Sequence, residues 1–167
     1  LLTRGMTVFA VSSDDAHYFV SIDSAHSNPG RGWVMVNTPQ LTAAAITKAM
    51  NTGSFYASNG IVLKACSASR KKYKVVVDEQ KTATELMSPE LKGKWEAESG
   101  TGFQIEFIGP EGRVLSTVMG SSASFRLRET QHYVRPRITY RRNHPDGGTE
   151  VFYAWGQPAF TDGRDLP

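Results

Sequence analysis

GFQIEFI, at residues 102–108, alternates apolar and polar side chains over the length of one strand. The turn residues GPEG follow directly at 109–112, and VLSTV at 114–118 resumes an apolar pattern. Alternation on both sides of a turn that contains glycine and proline is typical of a β-hairpin. The centre of this chain is therefore predicted to be antiparallel β structure.

Short strand-like segments divided by turns continue on both sides of this hairpin, and no helix is predicted after residue 61. Because Pro136 has no N–H to donate to a neighbouring strand, its strand is predicted to lie at a sheet edge or to contain a bulge. Residues 61–167 are therefore expected to form an antiparallel β-sandwich. Its further strands are predicted at 61–63, 72–77, 124–127, 133–140 and 151–155.

The region before residue 61 begins with a different pattern, MTVFAVSSDDAH at residues 6–17. The apolar run at 8–11 is typical of a strand buried on both faces of a parallel sheet. Ligands collect beyond the carboxyl ends of such strands. Asp15 and His17 lie two positions apart, so in an extended segment both side chains can reach one ion or two neighbouring ions. The stretch therefore predicts a metal site.

One helix is predicted with both of its ends, and it follows a short strand, WVMV at residues 33–36. Thr42 is suited to be the N-cap, and Gly53 is suited to end the helix in a left-handed conformation. Leu41 and Ile46 are spaced as a hydrophobic staple. Residues 23–32, between the metal motif and this strand, are rich in turn formers and are predicted to be a surface loop.

Composition is that of a folded domain, with 167 residues of which 40% are hydrophobic and 10% aromatic. A single cysteine, Cys66, excludes an internal disulfide and a cysteine-rich zinc motif, and its apolar neighbours indicate a packed thiol. The net charge is +3, but the basic residues are scattered, so nucleic-acid binding is not favoured. No apolar run is long enough to cross a bilayer, and the sequence does not indicate a compartment.

Three motifs together resemble a known family: SDDAH at 13–17, RGWV at 31–34 and GSFYASNG at 53–60. They look like the closing section of the PHP (polymerase and histidinol phosphatase) metal-dependent phosphoesterases. The resemblance covers about residues 1–65, and residues 133–158 are similar to the β domain that some members append. It implies a distorted α/β barrel that carries divalent zinc, manganese or iron. Asp15 and His17 would be its last Asp-x-His ligands, and the substrate would be a phosphorylated small molecule cleaved by metal-activated water.

The chain departs from this family because the early His-x-His motif and the intervening His and Glu ligands are absent. A catalytic zinc normally has three protein ligands, so two do not complete the site. The chain is therefore expected to be the C-terminal part of a larger hydrolase whose metal site needs a missing N-terminal part of the barrel. Alone it is expected to be inactive. Residues 1–60 would be the incomplete barrel end, an α/β segment with its last strands and helix, and the whole would be β-rich.

Three further residues are candidates for orienting a ligand or binding substrate. Asp14 is placed to orient a metal ligand or to cap the segment that follows it. Arg31 could hold a substrate phosphate through two hydrogen bonds, and His26 lies in the same loop. Ordinary loop polarity is the favoured explanation for Arg31 and His26, whereas for Asp15 with His17 a simple turn is the alternative to metal binding.

The tryptophans support an alternative function. Trp33, Trp95 and Trp155 are either buried anchors or a platform on which a sugar stacks. The second reading would make the chain a carbohydrate- or protein-binding β-sandwich module without catalysis.

Overall fold

Eleven strands and two α-helices occur in the computed structural model, which describes residues 1–23, 26–87, 94–96, 100–144 and 147–162. The helices are α1 (Ala43–Thr52) and α2 (Glu79–Glu85). The strands are β1 (Trp33–Val36), β2 (Phe55–Ser58), β3 (Leu63–Ala68), β4 (Lys72–Val77), β5 (Lys94–Glu96), β6 (Gly102–Ile108), β7 (Val114–Met119), β8 (Ser122–Arg126), β9 (Tyr133–Asn143), β10 (Thr149–Gly156) and β11 (Ala159–Phe160).

The strands form one large and one small antiparallel sheet. The large sheet has the order β1-β2-β10-β9-β6-β7, with β11 paired to β9 and β5 paired to β10. The small sheet has the order β3-β4-β8. Every strand pair among the described residues is antiparallel. The prediction of a β-rich chain with antiparallel pairing is confirmed, and the parallel sheet expected near residues 8–11 is not found in the described part.

A single hydrophobic core joins the two sheets. The Phe107 ring of β6 stacks on Phe125 of β8 with centroids 5.2 Å apart, and it lies 6.2 Å from the Tyr73 ring of β4. Because side chains alternate across a strand, β4 and β6 can each direct one face into this core. Buried members of the core are Tyr56, Ile61, Tyr73, Val75, Val77, Leu86, Ile105, Phe107, Ala123, Leu127, Val134, Ile138, Phe152, Ala154 and Ala159.

Several elements begin and end at the residues predicted from local sequence patterns. The predicted strands 33–36, 72–77 and 102–108 are observed at those residues, and 102–108 pairs with β7 as the predicted hairpin. Thr42 caps α1, since its hydroxyl accepts from the Ala45 N–H at 3.3 Å, and Gly53 ends the helix with φ 75°. The prediction of a hydrophobic staple between Leu41 and Ile46 is wrong, because the Leu41 side chain is 92% exposed.

Helix α2 contradicts the prediction that no helix follows residue 61. Asp78 caps it, with Oδ1 accepting from the Lys81 N–H at 3.0 Å. Thr82 fixes the helix to the chain before β3, because its hydroxyl accepts from the Val62 N–H at 3.0 Å. None of the described helices is long and apolar enough to span a membrane.

The strand predicted at residues 8–11 is wrong. These residues pair with no described strand, and Val8 and Val11 are 38% and 64% exposed. Only Phe9 packs on the sheet, with its ring edge-on to Phe55 at 6.1 Å. A short apolar run specifies no partner, and a strand forms only where a neighbour satisfies its backbone groups.

The side chain of Gln157 satisfies the backbone groups of Ala10 that a neighbouring strand would otherwise satisfy. The Ala10 N–H donates to Gln157 Oε1 at 2.9 Å, and Gln157 Nε2 donates to the Ala10 carbonyl at 2.8 Å. The Gln157 carbonyl accepts from the Tyr73 hydroxyl at 2.8 Å. Through these hydrogen bonds Gln157, which follows β10, joins the N-terminal segment to the small sheet. The residue is 1% exposed, so the junction is buried.

Pro136 does not mark an edge strand, since β9 lies between β6 and β10 in the large sheet. The pairing of β9 with β10 ends at Arg137, and pairing with β11 begins at Val134. On the side of β9 that faces β10 and β11, Pro136 therefore lies between the two paired stretches. Its missing N–H interrupts no paired position on that side.

Candidate functional site

The sequence-predicted site residues lie in one irregular loop between residues 13 and 31. In the early part of the loop, the His17 and Tyr18 N–H groups both donate to the Ser27 carbonyl, each at 3.0 Å. Asp14 Oδ2 accepts from the Gly30 N–H at 2.6 Å and closes the loop at its base. Asp14 therefore has a clear anchoring contact within the loop.

Asn28 organises the centre of this loop and is completely buried. Its amide nitrogen donates to the carbonyls of Tyr18 at 3.1 Å and Ser21 at 2.7 Å. Its amide oxygen accepts from the Asp23 N–H at 3.0 Å and from the Arg31 guanidinium at 2.9 Å. The whole hydrogen-bonding capacity of the side chain is used inside the loop. Sequence reasoning missed Asn28, although an asparagine before Pro-Gly is a recognisable turn signal.

Arg31 binds the loop backbone in this structure. Its Nη1 donates to the His26 carbonyl at 2.8 Å, and its Nη2 donates to the Asp23 carbonyl and to Asn28. A guanidinium held by several acceptors in this way fixes the loop conformation. The predicted role of Arg31 in holding a substrate phosphate stays a prediction.

Asp15 and His17 are brought together and point into solvent. His17 Nε2 lies 3.9 Å from Asp15 Oδ1, and the two side chains are 71% and 90% exposed. Asp15 has a positive φ of 50°, which is uncommon for a residue other than glycine. The spacing predicted from the sequence is therefore realised as an acid–histidine pair, although by a turn conformation at Asp15 and not by a strand.

A second acid–histidine pair lies in the same loop. His26 Nδ1 is 2.7 Å from Asp23 Oδ1, and the His26 ring stacks on Tyr18 with centroids 3.8 Å apart. The sequence analysis named His26 but not Asp23 or Tyr18 as its partners. Across the described residues, no group of three or more His, Cys, Asp or Glu side chains is placed to hold a metal ion. The two pairs stay separate.

Most of the exposed large apolar side chains lie in the N-terminal quarter of the chain, which contains this loop. Nine of the thirteen exposed large hydrophobic side chains in the described part of the chain lie within residues 1–41. Phe19 is 71% exposed and Val20 86% exposed, and both follow directly on the Asp15–His17 pair. Exposed apolar patches of this kind mark surfaces that contact another protein segment. The other seven are Leu1, Met6, Val8, Val11, Ile22, Met35 and Leu41.

Trp155, one of the three tryptophans considered for sugar stacking, has a covered ring. The Arg135 guanidinium carbon lies 4.3 Å from its ring centroid, and that of Arg137 lies 5.5 Å away. Burial lowers the pKa of Arg135. Arg137 also forms an ion pair with Glu106 at 2.6 Å. Trp33 packs against the core, and the side chain of Trp95 lies outside the described residues.

No protein-family model, curated protein or solved structure matches this chain. The interpretation of the site therefore depends on the geometry of the loop and on the residue pattern.

Proposed function

We propose that the chain is the C-terminal part of a metal-dependent hydrolase of the PHP phosphoesterase type, to which it contributes the ligands Asp15 and His17. The observation that carries the proposal is that a loop fixed by Asn28 and Arg31 presents this pair to solvent beside exposed apolar side chains. Asn28 and Arg31 use their hydrogen-bonding groups within the loop, whereas the Asp15 and His17 side chains are largely exposed.

The donor chemistry of the pair fits a divalent cation. A carboxylate and an imidazole are both ligands that zinc and manganese accept, and the Asp15 oxygen and the His17 nitrogen lie 3.9 Å apart. When bound, such an ion would polarise a phosphoryl oxygen and lower the pKa of a coordinated water. Asp14 would hold the loop base through Gly30, and His26 would keep the adjacent turn in place through Asp23.

The missing ligands would come from the N-terminal part of the barrel. Residues 1–32 would contact it, because this stretch belongs to no described strand and carries most of the exposed apolar side chains. β1 and β2 instead join the large sheet through β10, so residues 33–60 would connect the barrel to the β-sandwich proposed for residues 61–167. The substrate would be a phosphorylated small molecule.

The test uses the full-length gene product that contains these residues. We expect it to bind a divalent metal, measured by inductively coupled plasma mass spectrometry, and to hydrolyse p-nitrophenyl phosphate or its diester. The double variant Asp15→Ala with His17→Ala should lower metal affinity and hydrolysis by about 100-fold or more, because two direct ligands are lost.

The matched control removes an acid and a histidine elsewhere, Glu85→Gln with His144→Gln, and should leave both readouts unchanged. Metal content and hydrolysis that survive the loss of Asp15 and His17 would refute the site. A gene that encodes no His-x-His upstream of Leu1 would refute the barrel.

The carbohydrate-binding alternative has no specific observation in its favour. A sugar stacks on an open aromatic face, and Arg135 covers the Trp155 ring at 4.3 Å.

A further inference from the structure

A cavity of about 1180 Å³ lies at one end of the two sheets. Its walls come from the β3–β4 turn, the end of β8, the short helix at Glu129–Gln131 and the chain after β11. None of the candidate metal-site residues lines it. Leu2, Thr3 and Gly5 also line it, whereas its basic side chains lie outside residues 1–32, the stretch proposed to contact the barrel.

Four basic side chains line this cavity, and we name them the basic rim: Arg70, Lys71, Arg126 and Arg128. The backbone holds them side by side. Lys72 pairs with Arg126 across β4 and β8, and the Leu127 N–H donates to the Lys71 carbonyl at 2.9 Å. These backbone contacts place the four basic residues on neighbouring chain segments that border one space.

The charges of the basic rim are not neutralised by ion pairs with described residues. By contrast, two arginines of the large sheet form ion pairs: Arg137 binds Glu106 at 2.6 Å and Arg142 binds Glu150 at 2.8 Å. Among the described residues that line the cavity, two are carboxylates, Glu129 and Asp162, so the four positive charges exceed the negative charges by two. An excess of positive charge in a concave site attracts anions.

The wall beside the basic rim is held in a fixed conformation. The Thr161 N–H donates to the His132 carbonyl at 3.0 Å, and the Thr161 hydroxyl donates to the Glu129 carbonyl at 3.1 Å. His132 itself has a positive φ of 58°. The Arg128 N–H donates to the Gln131 side chain at 2.8 Å, which fixes the backbone that carries this arginine. The site is therefore formed before a ligand arrives.

We propose that this cavity binds a small organic ligand that carries two or more phosphate groups. Guanidinium groups bind phosphate oxygens through paired hydrogen bonds, and three of the four rim residues are arginine. Leu127 and Phe160 add apolar side chains that can pack on the organic part of the ligand. The volume suits a ligand of nucleotide size. A nucleic-acid strand would need a basic stripe that continues beyond a single cavity.

The experiment titrates residues 1–167 with ATP, inorganic triphosphate and citrate by isothermal calorimetry, in 150 mM salt with EDTA and no divalent metal. We expect ATP and triphosphate to bind and citrate to bind at least about tenfold more weakly. The double variant Arg126→Gln with Arg128→Gln should weaken ATP binding about tenfold or more, since two charged hydrogen-bond donors are lost.

The control Lys48→Gln with Arg113→Gln removes the same charge from exposed positions outside the cavity and should bind ATP as the unaltered protein does. Equal weakening by both double variants would assign the effect to net charge and overturn the proposal. Absence of binding by all three probes would overturn it, as would tenfold tighter binding of a 20-nucleotide single strand. EDTA removes metal throughout, so the result does not depend on the hydrolase proposal.

Discussion

At the scale of single residues, Cys66 illustrates how packing decides chemistry. The sequence predicted a packed thiol, and the Cys66 Sγ lies 3.8 Å from the Tyr73 hydroxyl between the two sheets. Burial raises the pKa of the Cys66 thiol to about 11, and the Tyr73 contact opposes this only in part. The thiolate is the reactive form of cysteine, so this thiol is predicted to be inert at neutral pH.

We predict that Cys66 makes stability fall as pH rises from about 9 to about 11. In the folded state the thiol keeps its proton up to pH 11, whereas in the unfolded chain it loses it from about pH 9. The unfolded state then binds fewer protons over this range, so the free energy of unfolding decreases with pH. Urea unfolding of the protein and of Cys66→Ala at pH 8, 9.5 and 11 measures the difference.

In that comparison Tyr73 titrates in both proteins, so only the difference between the two pH profiles reports on Cys66. The gap in stability between the protein and Cys66→Ala should narrow as pH rises. Two parallel profiles would mean that the thiol is not desolvated.

At the scale of elements, prediction succeeded where the signal is local. β4 and β6 have their predicted bounds because alternation and adjacent turns specify a strand within a few residues. The prediction that Asp15 and His17 bind a metal stays a prediction, and the two side chains meet through a turn at Asp15 that their spacing did not reveal. The hydrogen-bond partners of residues 8–11 and of Asn28 are brought to them by the fold of the chain. A local sequence pattern does not reveal such partners. Helix α2 was missed although Asp78 is a recognisable N-cap.

The cap at Asp78 gives a prediction for α2. Asp78→Ala should lower the free energy of unfolding by about 1 kcal/mol, because the Lys81 N–H loses its acceptor at the helix start. Asp78→Ser keeps an oxygen at this position and should retain most of the stability. Urea denaturation compares the three proteins, and equal losses in both variants would show that the cap does not stabilise α2.

At the scale of the whole molecule, Gly156 lies at a close approach between the two sheets. A Cβ atom added there would be 2.6 Å from Pro136 Cγ of the large sheet. It would be 2.8 Å from both Cys66 Sγ and Tyr73 Oη of the small sheet. The absence of a side chain at this one position therefore permits the two layers to share a core.

We predict that Gly156→Ala lowers the free energy of unfolding by about 1–3 kcal/mol, because the added methyl group overpacks this junction. Tyr73→Phe removes one of the crowding atoms, so the double variant should cost less than the sum of the single changes. Chemical denaturation measures this coupling. Combining Gly156→Ala with Asp78→Ala, which shares no contact with it, should be additive and serves as the control. Strict additivity with Tyr73→Phe would place the strain elsewhere.

The link through Gln157 has a mechanical consequence for the same molecule. A force that pulls residues 1–9 away from the sheet meets the two hydrogen bonds between Ala10 and the Gln157 amide, which bear the load in parallel. From there the tension passes through the Gln157 backbone and the Tyr73 hydroxyl into the small sheet. Gln157 thus links the segment that leads into Asp15 and His17 to both layers of the fold, in addition to the packing of Phe9 on Phe55.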